Sequence, residues 1–395
     1  MFINRDIQEA IKRYKAFPVV GFFGPRQSGK TTLSKKFFKN HKYLNFEDPE
    51  IRAYAAKNPK NFLLEYENEH GLILDEFQYV PEILSYIQIE SDEKDRPGYF
   101  VLTGSQNFLM NEAVTQSLAG RIGILNLMPF SLNELMNSNL LDKNINNQIF
   151  QGFYPRIYAK QILPTDFYPS YIHSYIERDV RKLVNVENLD VFQRFMQMCA
   201  GRIGQLLNIT DLAASCGISL KTVKSWLSIL QASYIIFLLP PYFKNFSKRI
   251  VKTPKLYFYD TGLACSLLNI RSSQELLFSS FRGNLFENFI IADILKQYFN
   301  LGRRPPVYFW RDLNGRIEID CLIDKALELV PVEIKSGERT NERYFDAIKQ
   351  WYSITKNEIQ NGSVVYTGEL SMATKDGTYV SWFDSSKFVE NLNKK

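Results

Sequence analysis

The sequence contains few of the side chains that bind transition metals or form covalent cross-links. Its 395 residues include four cysteines and three histidines, and no two cysteines have the spacing of a CxxC pair. This composition argues against a zinc site and against a Cys–His nucleophile pair. We expect the thiols to be small buried groups, as suits a reducing cytoplasm.

Long apolar runs are also lacking. The most apolar stretch, residues 234–239, is far shorter than the ~20 residues that a membrane-spanning helix needs. The first residues are charged throughout and show no apolar core of signal-peptide length. The sequence therefore predicts a cytoplasmic protein that makes no membrane contact.

Neither sign of charge dominates the chain, but the charge is unevenly distributed. The 48 Lys and Arg residues and 42 Asp and Glu residues give a net charge of +6. Residues 151–282 hold 16 basic and 8 acidic residues, so the rest of the chain is slightly acidic. We therefore expect the basic middle of the chain to be the part that contacts phosphate groups, as a DNA-binding region would.

Alternating apolar runs and helical patterns predict an α/β fold in the first part of the chain. Residues 17–23 form a continuous apolar run that is typical of a strand buried in a parallel sheet. Similar runs occur at 72–74 and 99–102. Helical patterns lie between or beside these runs, at residues 31–39, 49–68 and 80–90.

The length of the chain fits two or three domains. We expect an α/β domain at residues 1–137, followed by a polar stretch at 137–148 that we interpret as a linker. A helical region at 149–282 follows, with a predicted helix over 165–202. A third region at 283–395 opens with a helix and continues with strands of alternating polarity.

A glycine-rich segment after the first apolar run matches the phosphate-loop pattern GxxxxGK[ST] between a strand and a helix. Glycines let successive main-chain N–H groups point at phosphate oxygens, and the helix N-terminus adds positive charge. Lys30 would reach the β- and γ-phosphates of ATP, and the Thr31 hydroxyl would bind Mg²⁺. The predicted nucleotide-binding residues are Gly24, Pro25, Arg26, Gln27, Ser28, Gly29, Lys30, Thr31 and Thr32.

Two acidic residues end the second apolar run and supply the other half of the predicted site. Asp75 would hold Mg²⁺, and Glu76 would polarise the attacking water as a general base. Acids at such a position can also cap helices, which is the alternative interpretation. The third run ends in a polar segment, from which we expect Ser105 to face the γ-phosphate or the water.

Arg121 follows a turn of small residues at 118–120. It could neutralise transition-state charge, either in its own chain or across the subunit boundary of a homo-oligomer. An ordinary surface salt bridge would explain the residue equally well. Both interpretations stay open at the level of sequence.

These motifs together resemble one family of bacterial and archaeal AAA-like P-loop ATPases. The resemblance lies in GPRQSGKTT, LNFEDPE, LILDEFQ, VLTGSQN, SLAGR and MPFSLNEL. Members of that family often carry a C-terminal domain of unknown function with a restriction-endonuclease-like fold, which YIERDV, TPKLYFYDTGL, GNLFENFI and VEIKSG resemble. The resemblance implies an ATPase core whose sheet has an additional strand and whose site has a catalytic glutamate. It places Lys30, Thr31, Asp75 and Glu76 in that site. It implies no settled biological role.

The middle region has a pattern typical of a helix-turn-helix in a winged helix. We expect Thr210 to cap a first helix, Gly217 to lie in the turn, and Ser219 to cap a second helix over 220–231. Two later apolar runs would form the strands of the wing. The alternative is a winged helix that only packs domains together. The candidate DNA contacts are Lys221, Thr222, Lys224, Lys248 and Arg249.

The third region contains acidic residues at strand positions. Period-two alternation places Glu333 and Lys335 on one face of a strand, next to Asp320 on the preceding strand, while Glu287 lies on the opening helix. The pattern resembles the PD-(D/E)xK nuclease motif, in which two carboxylates hold Mg²⁺ and the lysine steadies the attacking water or the leaving charge. A salt-bridge network, or a nuclease fold that does not cleave, would give the same pattern.

The sequence thus predicts a P-loop parallel-sheet core, a helical and winged-helix region, and an α/β restriction-endonuclease-like domain. Our leading hypothesis is a Mg²⁺-dependent ATPase that acts on DNA and has a candidate nuclease domain. The alternative is an ATP-dependent switch that binds a protein partner and has an inactive nuclease-like domain. A nucleotide-independent structural protein ranks third, and ATP and GTP are not distinguished.

Overall fold

A computed structural model describes residues 3–105, 117–176, 189–242, 253–312, 314–357 and 360–394. Within these ranges, apolar side chains from all three parts of the chain join one continuous core. The four cysteines are buried and unpaired, as predicted. In the described part of the chain, no helix is both long and apolar enough to cross a membrane.

A parallel sheet in the order β2-β3-β4-β1-β5 organises the first part of the chain. Every residue of β1, β3 and β4 is buried, because separate apolar clusters pack on the two faces of the sheet. The predicted α/β fold with a parallel core is confirmed. The strands are β1 (Val19–Phe23), β2 (Lys42–Asn45), β3 (Leu72–Asp75), β4 (Phe100–Gly104) and β5 (Ile122–Asn126).

Short helices connect these strands, and one of them differs from the prediction. The helix expected over 49–68 is two helices, because Asn58 ends the first and caps the second. Its side chain accepts a 3.1 Å hydrogen bond from the Asn61 N–H, and Pro59 begins the second helix. The helices are α1 (Gln8–Tyr14), α2 (Lys30–Phe37), α3 (Pro49–Lys57), α4 (Pro59–Glu65) and α5 (Ile83–Lys94), with a 3-10 turn at Phe77–Tyr79.

The middle region is mainly helical and contains one antiparallel strand pair, β6 (Ile236–Leu239) with β7 (Lys255–Phe258). The last four residues of the predicted linker at 137–148 belong to a helix, in which Ile145 and Gln148 are buried. The helices are α6 (Leu132–Asn137), α7 (Ile145–Gln151), α8 (Pro155–Lys160), α9 (Pro164–Tyr171), α10 (Leu189–Ala200), α11 (Ile209–Cys216), α12 (Leu220–Ala232), α13 (Thr261–Leu267) and α14 (Ser273–Phe278).

The helical pattern predicted over 165–202 is present in the described residues as α9, a π-helical turn at Ile172–Ile176 and α10, while residues 177–188 lie outside them. The predicted cap of the next helix needs correction. The cap of α11 is Asn208 and not Thr210, because the Asn208 side chain accepts a 3.0 Å hydrogen bond from the Asp211 N–H. Ser219 caps α12 as predicted, with 3.0 Å to the Thr222 N–H.

The last region is a mixed sheet with helices, in the order β12-β13-β11-β10-β9-β8. Strands β8, β9 and β10 pair antiparallel, and β10, β11 and β13 pair parallel. The elements are α15 (Arg282–Asn300), β8 (Val307–Arg311), β9 (Glu318–Asp324), β10 (Leu329–Lys335), α16 (Asp346–Thr355), β11 (Ser363–Tyr366), β12 (Met372–Thr374), β13 (Gly377–Ser381) and α17 (Ser385–Lys394).

The helix α15 lies at the junction of the three regions. From Leu285 to Asn300, every residue except Glu287 and Phe299 is buried. The helix packs against β5 of the first sheet, β7 of the middle region and β10 of its own sheet. A helix that is buried on all sides is a core element, so α15 joins the regions rather than covering one of them.

Polar groups on α15 are bonded to the first region. The Asp293 carboxylate accepts a 2.7 Å hydrogen bond from the Leu132 N–H at the start of α6, and the Lys296 ammonium donates one of 3.1 Å to the Phe130 oxygen. Burial lowers the pKa of Lys296 to about 8, although the Asp260 and Asp293 carboxylates oppose this shift. These contacts satisfy buried polar groups that the junction would otherwise leave unpaired.

Candidate functional site

The phosphate loop connects β1 to α2 with a backbone that requires glycine. Gly24 has φ +152°, and a Cβ at this position would lie 2.1 Å from the main-chain oxygen of Leu127. Gly29 precedes α2 with φ +97°. Residues with a side chain rarely adopt these backbone conformations. The two glycines therefore fix the curvature of the loop, which would turn its main-chain N–H groups towards a phosphate.

Lys30 lies inside the loop. Its ammonium group donates hydrogen bonds to the main-chain oxygens of Gly24, at 2.8 Å, and Pro25, at 2.7 Å. The side chain is buried, so the charge is held at the loop and not in solvent. The position suits a group that contacts the phosphates of a bound nucleotide.

The other predicted loop residues have varied environments. Ser28 is fully buried, and its hydroxyl has no hydrogen-bond partner among the described residues. The Arg26 guanidinium lies 3.3 Å from the Glu47 carboxylate. Gln27 has a left-handed backbone with φ +63°, and Thr32 is exposed on α2. The structure thus turns Ser28 inward and Thr32 outward.

Thr31, at the start of α2, is in contact with Asp75, at the end of β3. The Thr31 hydroxyl donates to the Asp75 carboxylate, at 2.9 Å from Oδ2. Tyr43 of β2 donates to the same oxygen at 2.7 Å, and Thr103 of β4 donates to Oδ1. Hydroxyl and carboxylate oxygens are ligands that Mg²⁺ prefers, so Thr31 and Asp75 fit a site for this cation.

Tyr43 and Thr103 were not found from the sequence. Each lies on a strand adjacent to β3, and Thr103 is directly opposite Asp75 in the register. Burial raises the pKa of Tyr43 far above its usual value, and the hydrogen bond to Asp75 adds to that shift, so the hydroxyl stays a donor. The contacts of Tyr43 and Thr103 with Asp75 could be predicted only from the order of the strands in the sheet.

Glu76 is held beside the loop in a constrained backbone conformation. It has φ +55°, which is uncommon for a residue with a side chain. Its Oε2 accepts hydrogen bonds from Gln78 and, at 3.2 Å, from the buried Ser105 hydroxyl. Burial raises the pKa of Glu76, while the charges of Lys30 and Arg26 partly oppose this shift. A partly buried carboxylate with a raised pKa is suited to accept a proton.

Arg5 supports the phosphate loop from behind and was also missed by the sequence analysis. It is buried and donates to the main-chain oxygens of Ser28, at 2.8 Å, and Met128, at 2.7 Å. Its Nε lies 2.8 Å from the Glu134 carboxylate. The residue precedes the first helix and lies far from the motif in sequence, so no local pattern indicates its contact with the loop.

Arg121 lies beside the N-terminal end of β1, whereas the phosphate loop follows the C-terminal end of that strand. Its main-chain oxygen accepts a hydrogen bond from Val19, the first residue of β1, whereas the loop follows Phe23, the last. Five strand residues span roughly 13 Å. The side chain forms an ion pair with Asp92, with Nη2 at 2.8 Å from the carboxylate. The structure therefore does not place Arg121 at the phosphate site of its own chain.

The predicted DNA contacts are only partly described. Lys221 and Lys224 are exposed on α12, and the Thr222 hydroxyl lies 2.8 Å from that of Ser219. Lys248 and Arg249 fall at positions 243–252, outside the described residues. The two lysines on α12 are accessible to a partner.

Three residues of the predicted nuclease motif come together in the last region. The Lys335 ammonium lies 2.5 Å from the Glu333 carboxylate and 3.3 Å from that of Asp320, which also accepts a 2.9 Å hydrogen bond from the Ile334 N–H. Burial raises the pKa of Glu333 to about 8, and the charge of Asp320 adds to the shift. Asp320, Glu333 and Lys335 thus share one face of the sheet.

Glu287, on α15, is in contact with two residues of the middle region. Its carboxylate accepts from the Tyr257 hydroxyl and lies 3.3 Å from the ammonium of Lys255, both on β7. Burial raises the pKa of Glu287 to about 7, and the charge of Asp320 adds to the shift. Among the described residues, no group of three or more His, Cys, Asp or Glu side chains is arranged to hold a metal ion.

The fold and the site define the first region as a P-loop nucleotide-binding domain on a parallel sheet. Residues 16–136 match a family model described as an AAA domain, so this region is similar to AAA-type P-loop ATPases. Residues 142–274 and 282–383 match models described as domains of unknown function, DUF8612 and DUF4143.

Similar proteins extend over most of the chain. Uncharacterized proteins of Mycobacterium bovis and Mycobacterium tuberculosis are each 28% identical over 337 residues, covering 84% of this chain and 74% of the relative. An uncharacterized protein of Haemophilus influenzae is 21% identical over 343 residues, covering 79% of this chain and 80% of the relative. The names of these relatives state no activity.

Solved structures of ATPases are similar to part of the chain. The Walker-type ATPase PABY2304 of Pyrococcus abyssi has a TM-score of 0.43 at 14% identity and covers 67% of this chain and 96% of its own. The RuvB Holliday junction branch migration motor of Thermotoga maritima has a TM-score of 0.28 at 17% identity and covers 59% and 87%.

Proposed function

We propose that this protein is a Mg²⁺-dependent ATPase that converts ATP to ADP and phosphate. The observation that carries the proposal is the 2.9 Å contact between the Thr31 hydroxyl and the Asp75 carboxylate, beside a loop that holds the Lys30 ammonium. The proposed cation site and the proposed phosphate site are adjacent, which supports binding of a nucleoside triphosphate.

Each residue of the site has a distinct role in this proposal. The loop N–H groups and Lys30 bind the phosphates. Thr31 and Asp75 would hold Mg²⁺, which would supply positive charge beside the phosphates. Glu76 accepts a proton from the attacking water, and the Ser105 hydroxyl orients the Glu76 carboxylate. The raised pKa of Glu76 supports its role as the base, because it makes proton transfer to the carboxylate more favourable.

The first experiment measures nucleotide binding and turnover of purified variants with ATP and GTP. Lys30→Ala should weaken nucleotide binding, and Glu76→Gln should keep binding but lower turnover by about 100-fold or more. The matched controls are Lys39→Ala and Glu82→Gln, which change exposed residues of the same types. Turnover by Glu76→Gln at the wild-type rate would reject Glu76 as the base, and no nucleotide binding by the wild type would reject the proposal.

A second candidate function is cleavage of a nucleic-acid phosphodiester by the last region. The observation that favours it is that the Lys335 ammonium lies 2.5 Å from the Glu333 carboxylate and 3.3 Å from the Asp320 carboxylate. Exposed Lys221 and Lys224 on α12 would then contact the DNA backbone. Asp320→Asn and Glu333→Gln should remove cutting of plasmid or single-stranded DNA in Mg²⁺ or Mn²⁺ without loss of ATPase activity.

The same assay separates this candidate from the alternative. Wild-type protein that cuts no DNA and shows no salt-sensitive DNA binding would favour an ATP-dependent switch that binds a protein partner.

A homo-oligomer is also part of the proposal, because Arg121 could reach a phosphate only across a subunit boundary. Its test is the molecular mass with and without nucleotide, for the wild type and for Arg121→Ala.

A further inference from the structure

A tyrosine of the middle region contacts the main chain of the phosphate loop. Tyr171 is the last residue of α9, and its hydroxyl donates a 3.3 Å hydrogen bond to the main-chain oxygen of Arg26. Only 3% of Tyr171 is exposed, so the side chain is held inside the protein. The phosphate loop is therefore bonded to the middle region as well as to its own region.

The surroundings of Tyr171 fix the direction of this hydrogen bond. The Tyr154 hydroxyl donates a 3.0 Å hydrogen bond to the Tyr171 hydroxyl, which leaves Tyr171 to donate its own proton to Arg26. Burial raises the pKa of Tyr154 well above its usual value, so this hydroxyl stays a donor. The rings of Tyr154 and Phe167 pack against the Tyr171 ring, with centroid distances of 4.8 and 5.7 Å.

The contact with Tyr171 determines which way the next N–H group of the loop points. The Arg26 oxygen and the Gln27 N–H belong to one planar trans peptide, so they point in opposite directions. Because the oxygen faces Tyr171, the Gln27 N–H faces away from the middle region. No group in the described part of the chain accepts a hydrogen bond from it. An unpaired N–H between the two glycines of the loop is a donor that a phosphate oxygen can use.

The backbone conformation of Gln27 is a second, independent observation. Its φ of +63° lies in the left-handed region, which is uncommon for a residue with a side chain. Such a conformation costs free energy and persists only where neighbouring contacts hold it. Tyr171 binds the oxygen of the residue before Gln27, and Arg5 binds the oxygen of Ser28, the residue after it. The two contacts together hold the loop on both sides of Gln27.

We propose that Tyr171 is a positioning residue of the nucleotide site. It holds the Arg26–Gln27 peptide in the orientation in which the Gln27 N–H can donate to a phosphate oxygen. The inference rests on the nucleotide binding of the proposed function and goes beyond it, because it makes the middle region a part of the nucleotide site. By reciprocity, a bound nucleotide strengthens the contact between the loop and α9.

The test measures the dissociation constant of ADP by calorimetry for the full chain with Tyr171→Phe. This variant keeps the ring and removes the donor, so ADP should bind about 3- to 10-fold more weakly. Tyr168→Phe is the matched control, because Tyr168 lies on the same helix and its hydroxyl donates a 3.0 Å hydrogen bond to the Gln151 oxygen, outside the loop. Each variant loses one buried hydrogen bond and should lose a similar amount of stability in urea, but the control should bind ADP as the wild type does.

A second measurement follows the Gln27 N–H itself. In protein prepared with isotope-labelled glutamine, the main-chain nuclear magnetic resonance signal of Gln27 is identified by its absence from Gln27→Glu. ADP should shift this signal in the wild type and shift it less in Tyr171→Phe. A Gln27 signal that ADP does not move in wild-type protein with bound ADP would overturn the inference.

The outcomes separate this inference from the proposed function. Wild-type protein that binds no ADP would overturn both. Wild-type protein that binds ADP, with equal affinities in Tyr171→Phe and Tyr168→Phe, would overturn the inference alone. Tyr154→Phe serves if Tyr171→Phe does not unfold cooperatively, because it removes the group that orients the Tyr171 hydroxyl. It should weaken ADP binding by about 2- to 3-fold, and unchanged affinity would then overturn the inference.

Discussion

The guanidinium group of Arg5 donates a 2.8 Å hydrogen bond to the main-chain oxygen of Ser28, inside the phosphate loop. The same guanidinium binds Glu134 in α6, and the start of α6 binds Asp293 of α15. A chain of buried polar contacts therefore runs from the nucleotide loop to the helix that opens the last region. It gives a physical route by which the loop and that region could influence each other.

Arg5→Lys should weaken nucleotide binding by roughly 10-fold, because lysine cannot donate to Ser28, Met128 and Glu134 at once. The measurement is the dissociation constant of ADP by calorimetry, together with the melting temperature. Arg13→Lys changes an arginine that is exposed and is the control. Unchanged ADP affinity in Arg5→Lys would show that the contact does not position the loop.

Tyr43→Phe should raise the Mg²⁺ concentration needed for half-maximal ATPase activity by about 3- to 10-fold, because Asp75 loses the 2.7 Å hydrogen bond that orients it. The rate at saturating Mg²⁺ should change less. Tyr66→Phe is the control, because it removes the hydroxyl of a tyrosine that follows α4 and lies outside the cation site. If the two variants have the same Mg²⁺ requirement, Tyr43 does not act on the cation site.

Gly24→Ala should abolish nucleotide binding, because the new Cβ would lie 2.1 Å from the Leu127 oxygen at a φ that favours glycine. Gly120→Ala is the matched control, since Gly120 also has a positive φ but has no atom within 4 Å of the added Cβ. The control should cost only about 1 kcal/mol of stability and should bind ADP. Binding of ADP by Gly24→Ala would contradict the loop geometry described above.

Asp6→Asn should make the protein more stable at neutral pH. Burial raises the pKa of Asp6 to about 6, and the Glu134 carboxylate and, to a smaller extent, the Glu390 carboxylate add to the shift, whereas Asn133 and Arg5 oppose it. A raised carboxyl pKa means that the stabilising effect of the proton is complete at low pH and is lost as the pH rises to about 6.

The gain from Asp6→Asn should therefore be near zero at pH 4 and reach roughly 1–2 kcal/mol above pH 6. Urea unfolding at the two pH values measures it. Glu93→Gln changes an exposed carboxyl and is the control. A gain of the same size at both pH values would mean that the titration of Asp6 does not contribute.

The contiguous part of the nucleotide site could be predicted from the sequence. The phosphate loop is a local pattern between a strand and a helix, and Asp75 and Glu76 end the next buried strand. The residues that support these groups come from elsewhere: Tyr43 and Thr103 from neighbouring strands, and Arg5 from the first residues of the chain. Their contacts depend on strand order and packing, which periodicity does not encode.

The remaining regions were predicted less completely for the same reason. Alternation along β9 and β10 was sufficient to predict that Asp320, Glu333 and Lys335 share a face. It could not indicate Lys255, which comes from another region. Helix boundaries were wrong where local caps decide them, as at Asn58 and Asn208, because several polar residues near a helix start compete for the cap.

The burial of α15 limits how the protein can be divided. A fragment beginning at residue 282 would carry the helix without β5 and β7, so its apolar side chains would be open to water and Asp293 would lose Leu132 as its donor. A fragment ending before residue 282 would expose to water the surface of the first region that α15 covers. We therefore expect that the regions matched by separate family models do not fold independently, and that truncated or chimeric forms should retain α15 together with residues 3–137.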